Sequence, residues 1–137
     1  SRNRALAELA VRDTGLGDVA DKIAKNRRKT MGLLRDLRGA KSVGVIAEHP
    51  EKGIVEIARP VGVVAAITPS TNPGATPANN IVNALKGRNA IVLAPSPKGA
   101  STLALLLCYV HDELDAIGAP RDLVLALPSP VTMPAAS

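Results

Sequence analysis

Two apolar runs, Val61 to Ile67 and Ala90 to Ala94, contain no polar side chain, and each is followed by a short loop and then by helical spacing. A strand with no polar face is one buried on both sides, as in a parallel sheet covered by helices. The helical stretches run from Pro73 to about Lys86 and from about Pro97 to Ile117, and a third strand is expected over Leu123 to Leu127. Gly87 and Gly118 stand where left-handed residues would close the two helices, and Pro120 prevents the second from continuing. Two successive β-α units of this length predict a right-handed parallel crossover sheet, an α/β fold.

The 137 residues amount to about one domain. With no Phe, no Trp and a single Tyr, the core must be assembled from Ala, Val, Leu and Ile. A net charge of +5 tolerates polyanionic partners without selecting among them. The lone Cys108 excludes an internal disulfide framework and two scattered histidines offer no metal cluster, which fits a reducing, cytoplasmic setting. No apolar run approaches the roughly 20 residues of a membrane span. The start, SRNRALAELA, lacks the apolar centre of a secretory signal. Without an initiator Met, the chain is expected to begin inside a longer product.

Upstream of the sheet, Arg4 to Thr14 reads as a short amphipathic helix ended by a Gly15-Leu16-Gly17 hinge. Asp18 can cap a second helix reaching about Arg38. The basic residues from Lys22 to Arg38 make that helix either a nucleic-acid surface or a solvated face. Asp18, Asp21 and Asp36 interrupt it, and no aromatic residue is available to stack on bases, which favours solvation. Ser42 to Glu48 and Ile54 to Arg59 form a predicted hairpin about the turn His49 to Gly53, with His49 expected as a solvated turn residue. Exposed ribbons of this type pair with partner chains.

Chemistry is expected where the first apolar run stops. ITPSTNP, Ile67 to Pro73, places Thr68, Ser70, Thr71 and Asn72 between buried strand and helix, where open α/β sheets hold ligands. Asn72 either caps the helix or, with Thr71, donates a hydrogen bond to a developing oxyanion. Ala94-Pro95-Ser96-Pro97-Lys98 repeats the grammar, as a phosphate or ribose contact or as a plain cap with a surface lysine. No GxGxxG fingerprint is present. Cys108 and His111 stand three apart on one helix, either as a thiolate-imidazole pair or with Cys108 as a small core residue, the reading its Leu-rich surroundings favour.

ITPSTNP, ALKGRNAIVLAPSP, the hairpin ending ARPVGVV and the segment GAPRDLVLALPSPVT together resemble the aldehyde dehydrogenase superfamily, most closely its acylating, coenzyme A-dependent branch that includes acetaldehyde and sulfoacetaldehyde dehydrogenases. The resemblance implies the amino-terminal part of a doubly wound nucleotide-binding domain. Its divisions would be helices over 1–41, an oligomerisation ribbon over 42–59 and a partial NAD(P)-binding unit over 60–137. It implies oxidation of a small-molecule aldehyde to an acyl-CoA with NAD or NADP, coenzyme A as co-substrate, and a homo-oligomer formed through the hairpin, with no nucleic acid and no membrane. A stand-alone nucleotide- or RNA-binding module using the basic helix 22–38 is the alternative. By the same resemblance Asn72 and Thr71 would be catalytic. Ile67, Thr68, Pro69 and Ser70 would line the nicotinamide side, and Ala94, Pro95, Ser96, Pro97 and Lys98 the adenosine side. Hydrolytic relatives carry the Asn one position earlier and a Lys where Ala94 stands. The family's nucleophilic cysteine lies downstream of Ser137, and the ending Met133 to Ser137 departs from the family, so the chain is expected to be a fragment inactive alone.

Overall fold

The structure, a computed structural model, describes residues 1–128; the Ser129 to Thr132 end of the GAPRDLVLALPSPVT segment and the divergent ending lie outside them. Helix α1 (Arg2–Thr14) closes on Gly15, whose φ of 65° lets its N–H return to the Val11 carbonyl. Helix α2 (Val19–Asp36) starts at Asp18, whose carboxylate accepts from the Ala20 N–H at 2.9 Å and the Asp21 N–H at 3.2 Å. Those two bonds stabilise the ionised form and hold the Asp18 carboxyl below its ordinary range.

Strands β1 (Gly44–His49) and β2 (Ile54–Ala58) pair antiparallel with a register shift between Val45 and Ala47. The turn between them ends on Gly53 at φ 65°. His49 is not a free turn residue: its Nε2 lies 2.8 Å from a Glu56 carboxylate oxygen across the ribbon. The hairpin is joined to the rest where the Ser42 hydroxyl donates to the Lys86 carbonyl at 2.6 Å.

Next come β3 (Val63–Thr68), α3 (Ala75–Lys86), β4 (Ala90–Pro95), α4 (Ala100–Ala116) and β5 (Val124–Ala126), each end within about three residues of its sequence-predicted place. The three strands form a parallel sheet in the order β3-β4-β5. Inward residues of all three strands, Val64, Ala66, Ile91, Leu93, Val124 and Ala126, share one core with Ile81 and Ala84 of α3 and Leu103, Leu106 and Leu114 of α4. Both crossover helices therefore cover the same face.

This corrects one expectation. The run from Val61 is apolar throughout, yet Val63 is 65% and Ile67 76% exposed, because nothing among the described residues covers the other face of the sheet. A second correction concerns the end of α3. Gly87 has φ −81° and is not left-handed; Arg88, at φ 56°, takes that conformation instead. Gly87 is small for another reason, since a Cβ there would lie 2.8 Å from the Asn89 amide nitrogen. Gly118, at φ 69°, is left-handed as expected.

Asn89 ties the two βα units together. Its Oδ1 accepts from the Val61 N–H at 2.7 Å and the Gly62 N–H at 3.0 Å, and its Nδ2 donates to the Gly87 carbonyl at 3.1 Å. The Ala90 N–H then donates to the Gly62 carbonyl at 2.9 Å, which fixes the register of the first parallel pair. Replacing Asn89 by Ala leaves two backbone donors without their acceptor, and a loss of about 1–2 kcal/mol is expected in urea unfolding. Asn89→Asp, which keeps the acceptor, should lose less.

Candidate functional site

Register brings the two loops together. Thr68 pairs with Pro95 at the carboxyl ends of β3 and β4, and the Ser96 N–H donates to the Thr68 carbonyl at 3.1 Å. The buried Thr68 hydroxyl faces the Ala94 carbonyl at 3.4 Å. Beyond these strand ends, residues 69–74 and 96–99 run side by side. Contact between them requires Gly99: a Cβ at that position would meet Pro73 Cβ at 3.0 Å and Ser96 Oγ at 3.1 Å.

The structure places the sequence-predicted residues as follows. Ile67, Pro69, Thr71, Pro97 and Lys98 are exposed, Ser70, Asn72 and Ser96 half-buried, and Thr68, Ala94 and Pro95 buried. Asn72 does not cap the helix with its side chain; the cap of α3 is Gly74, and Asn72 contributes only its carbonyl, which accepts from the Thr76 N–H at 3.4 Å. The two prolines around the loop push the helix start past Asn72, which leaves its amide free of the helix. Ser96 sits before a short turn, Pro97–Gly99, without a side-chain cap bond, and its hydroxyl oxygen is buried with no partner. Asn79 Oδ1 is the other buried side-chain atom without a partner among the described residues, and each is a polar group whose hydrogen bond the fold leaves unfilled.

Several residues that fix this site carry no motif signal. The Asn26 amide of α2 lies 3.6 Å from the position of a Cβ on Gly74 and donates to Asn3 Oδ1 at 3.0 Å. Asn3 in turn donates to the Ile23 carbonyl at 3.0 Å. Asp13, at the end of α1, accepts from the Ser101 hydroxyl and, at 3.3 Å, from the Thr102 hydroxyl at the start of α4. Lys22 was grouped with the solvated basic face, but it is only 5% exposed and lines a hollow of about 250 Å³ with Leu16, Gly17, Asp18 and Thr71. Burial, and then Lys25 beside it, lower its pKa. A spacing rule for paired asparagines across three helices does not exist, so only coordinates reveal them.

The Cys108 expectation is corrected. Cys108 is exposed, because the face of α4 that meets the sheet is Leu103, Leu106, Val110 and Leu114, and position 108 falls outside that stripe. His111 is engaged elsewhere, with Nε2 2.8 Å from the Val124 carbonyl. Among the described residues there is no metal-holding cluster, and no helix is long and apolar enough to cross a membrane.

The paired loops stand at the carboxyl ends of a parallel sheet covered by helices, the place where open α/β folds bind their ligands. Residues 1–132 match the aldehyde dehydrogenase family, and the chain belongs to it. It is 67% identical over 132 residues to the acylating sulfoacetaldehyde dehydrogenase of Cupriavidus necator, covering 96% of this chain and 27% of that protein. It is 40% identical over 124 residues to the acetylating succinate-semialdehyde dehydrogenase of Clostridium kluyveri, covering 90% and 27%. The acetylating aldehyde dehydrogenase of Geobacillus thermoglucosidasius superposes with a TM-score of 0.86 at 36% identity, over 95% of this chain and 30% of that one. A propionaldehyde dehydrogenase of Rhodopseudomonas palustris with bound CoA and an acylated cysteine superposes at 0.74 and 32% identity, covering 93% and 28%. An engineered glycolyl-CoA reductase with bound NADP+ superposes at 0.73 and 28% identity, over the same shares. The chain thus spans about a quarter of the length of the curated relatives it matches.

The tight contact at Gly99 is testable in this chain. Gly99→Ala should lower stability by about 1–3 kcal/mol in urea unfolding, because both neighbours of the new methyl are held in place. Gly32→Ala on α2, where nothing lies within 4 Å, is the control and should be neutral or slightly stabilising.

Proposed function

We propose that this chain is the amino-terminal, cofactor-facing part of an enzyme that oxidises an aldehyde to an acyl-CoA with NAD(P)+. The observation that carries the reading is the 67% identity with an acylating sulfoacetaldehyde dehydrogenase over a segment whose two strand-end loops converge. An aldehyde carrying its own negative charge is the proposed substrate class, since sulfoacetaldehyde and succinate semialdehyde both do.

The residues present fit a dinucleotide. The partnerless Ser96 hydroxyl and the close approach permitted by Gly99 supply a polar atom and a cradle at one end. On this reading Ala94, Pro95, Ser96, Pro97 and Lys98 line the adenosine side, and Ile67, Thr68, Pro69 and Ser70 the nicotinamide side. When bound, NAD(P)+ supplies the hydride acceptor. Ile67, 76% exposed near the end of β3, offers that side an apolar surface against which a ring can pack.

The chemical role of this chain falls to Asn72. Attack of a thiolate on an aldehyde moves negative charge onto the carbonyl oxygen, and an amide N–H fixed at that oxygen stabilises the charge as it forms. Asn72 suits the task because its side chain is not used as a helix cap and the residue is half-buried. Cys108, exposed on α4 and remote in the chain from the loop, is not assigned as the thiolate. That group is supplied by the part of the enzyme that this chain does not contain.

The reading is tested on the full-length enzyme, with sulfoacetaldehyde, NAD(P)+ and coenzyme A, by following reduced cofactor and thioester together. Cofactor reduction independent of coenzyme A, or none with any aldehyde, would overturn it. In the same assay Asn72→Ala should lower kcat by about 100- to 1,000-fold while cofactor affinity measured by titration stays unchanged.

The hairpin is proposed as the subunit-joining element. Val45, Ile46, Ile54, Val55 and Ile57 are all exposed on a two-stranded ribbon whose outer edges are open, an arrangement suited to strand addition by a second copy. Val55→Lys with Ile57→Lys should shift the enzyme to a smaller assembly in light scattering without loss of helical signal.

A further inference from the structure

The proposed substrate class requires a counter-charge, and the structure offers one beside the loop. A cavity of about 430 Å³ opens between α1, α2 and α3, walled by Thr30 and Met31 on one side and Gly74, Ala75 and Ala78 on the other. Gly74 follows Asn72 by two residues, so the cavity and the candidate oxyanion amide share one turn of chain. Its walls carry one charged side chain, Arg27. Arg27 also borders the open groove along the outer face of α2, whereas Arg28 and Lys25 border that groove without reaching this cavity. Asp21 is the acidic residue of the groove, and it makes no ion pair with Arg27.

We infer that Arg27 recognises the anionic end of the aldehyde, a sulfonate or a carboxylate, and so sets substrate specificity; this rests on the reading given under Proposed function. The guanidinium presents two parallel N–H donors to an oxyanion, a geometry that a lysine ammonium does not reproduce. Arg27 is exposed and shares the cavity wall with the polar Asn3, Asn26 and Thr30, so its selectivity rests on this paired-donor geometry rather than on a desolvated charge. Asn26 holds the register: locked to Asn3 and against Gly74, it fixes the α2 turn that carries Arg27 relative to the loop that carries Asn72. A short substrate with its carbonyl at Asn72 then has its tail directed along the Gly74 wall toward Arg27.

The test is steady-state kinetics of the full-length enzyme and its Arg27→Ala and Arg27→Lys variants with sulfoacetaldehyde, succinate semialdehyde and propionaldehyde. For Arg27→Ala, kcat/KM with the anionic aldehyde should fall about 10- to 100-fold, mainly through KM, with propionaldehyde within about 2-fold of the parent. Arg27→Lys should recover part of the loss. Inhibition by isethionate, an unreactive sulfonate, should weaken in parallel with the KM effect. A loss with sulfoacetaldehyde alone assigns the sulfonate, with succinate semialdehyde alone the carboxylate, and with both a general oxyanion contact. Equal losses with charged and neutral aldehydes, or no loss with either anion, would overturn the inference. A parent enzyme that oxidises propionaldehyde to its thioester but no anionic aldehyde also overturns it and leaves the acylating reading standing. A parent without coenzyme A-dependent oxidation of any aldehyde overturns both.

Discussion

Everything at the site follows from the register of one parallel strand pair. Val63 opposite Ala90 at one end puts Thr68 opposite Pro95 at the other, and a shift of a single residue would turn every side chain of β3 to the opposite face. The pair is held at both ends by bonds that are not part of the ladder itself. Asn89 gathers the Val61 and Gly62 N–H groups before the strands begin, and the Ser96 N–H reaches the Thr68 carbonyl after they finish. The core adds direction, because Leu93 is fully buried between Leu103 and Leu106 of α4 and the inward side of β3. The positions of Asn72 and Ser96 are consequences of that clamp.

The leading helices do a second job. Helix α1 joins the start of α4 through Asp13, and α2 joins the start of α3 through Asn26 against Gly74. Both joints touch the amino end of a crossover helix, the end that faces the candidate site, and α1 reaches the far end of α4 as well, where Arg2 pairs with Glu113 and Asp112. A carboxylate suits the first of these places because the first turn of a helix carries partial positive charge, although Asp13 accepts from the Ser101 and Thr102 hydroxyls rather than from backbone N–H groups. Among the described residues only Asp18, before α2, binds the free N–H groups of a helix start directly. The result is a set of helix starts that hold one another, with the polar loops between them.

Much of this was legible in the sequence, for reasons that depend on local chemistry. The order of strands and helices follows from apolar runs punctuated by Gly and Pro, and it is observed. What failed did so where a tertiary contact overrode a local preference. Gly87 reads as a left-handed cap, but its size is required by the Asn89 amide, and Arg88 bears the positive φ. Asn72 reads as a cap, but the proline after it moves the helix start to Gly74. Cys108 sits in a Leu-rich string, yet the 3.6-residue period turns it outward while Leu106 turns in. Lys22 reads as one of a basic series, and only the fold of the Gly15 to Asp18 bend over it buries its stem.

The exposed face of β3 completes the reasoning from sequence to site. The exposed Val63, Ala65 and Ile67 alternate with the half-buried Val64 and Ala66 and the buried Thr68, so a strand that looks uniformly apolar has two distinct faces in space. Leu125 of β5 adds to the same outer face. Such a surface is costly in water and is the kind that a sheet covers with further structure when it can. Its position matters more than its area. The outer face ends at Ile67, one residue before the end of β3, so whatever covers it lies beside the loop that begins at Pro69, and the role proposed for Asn72 calls for such a cover, because an amide acts most strongly on a developing charge where water is excluded.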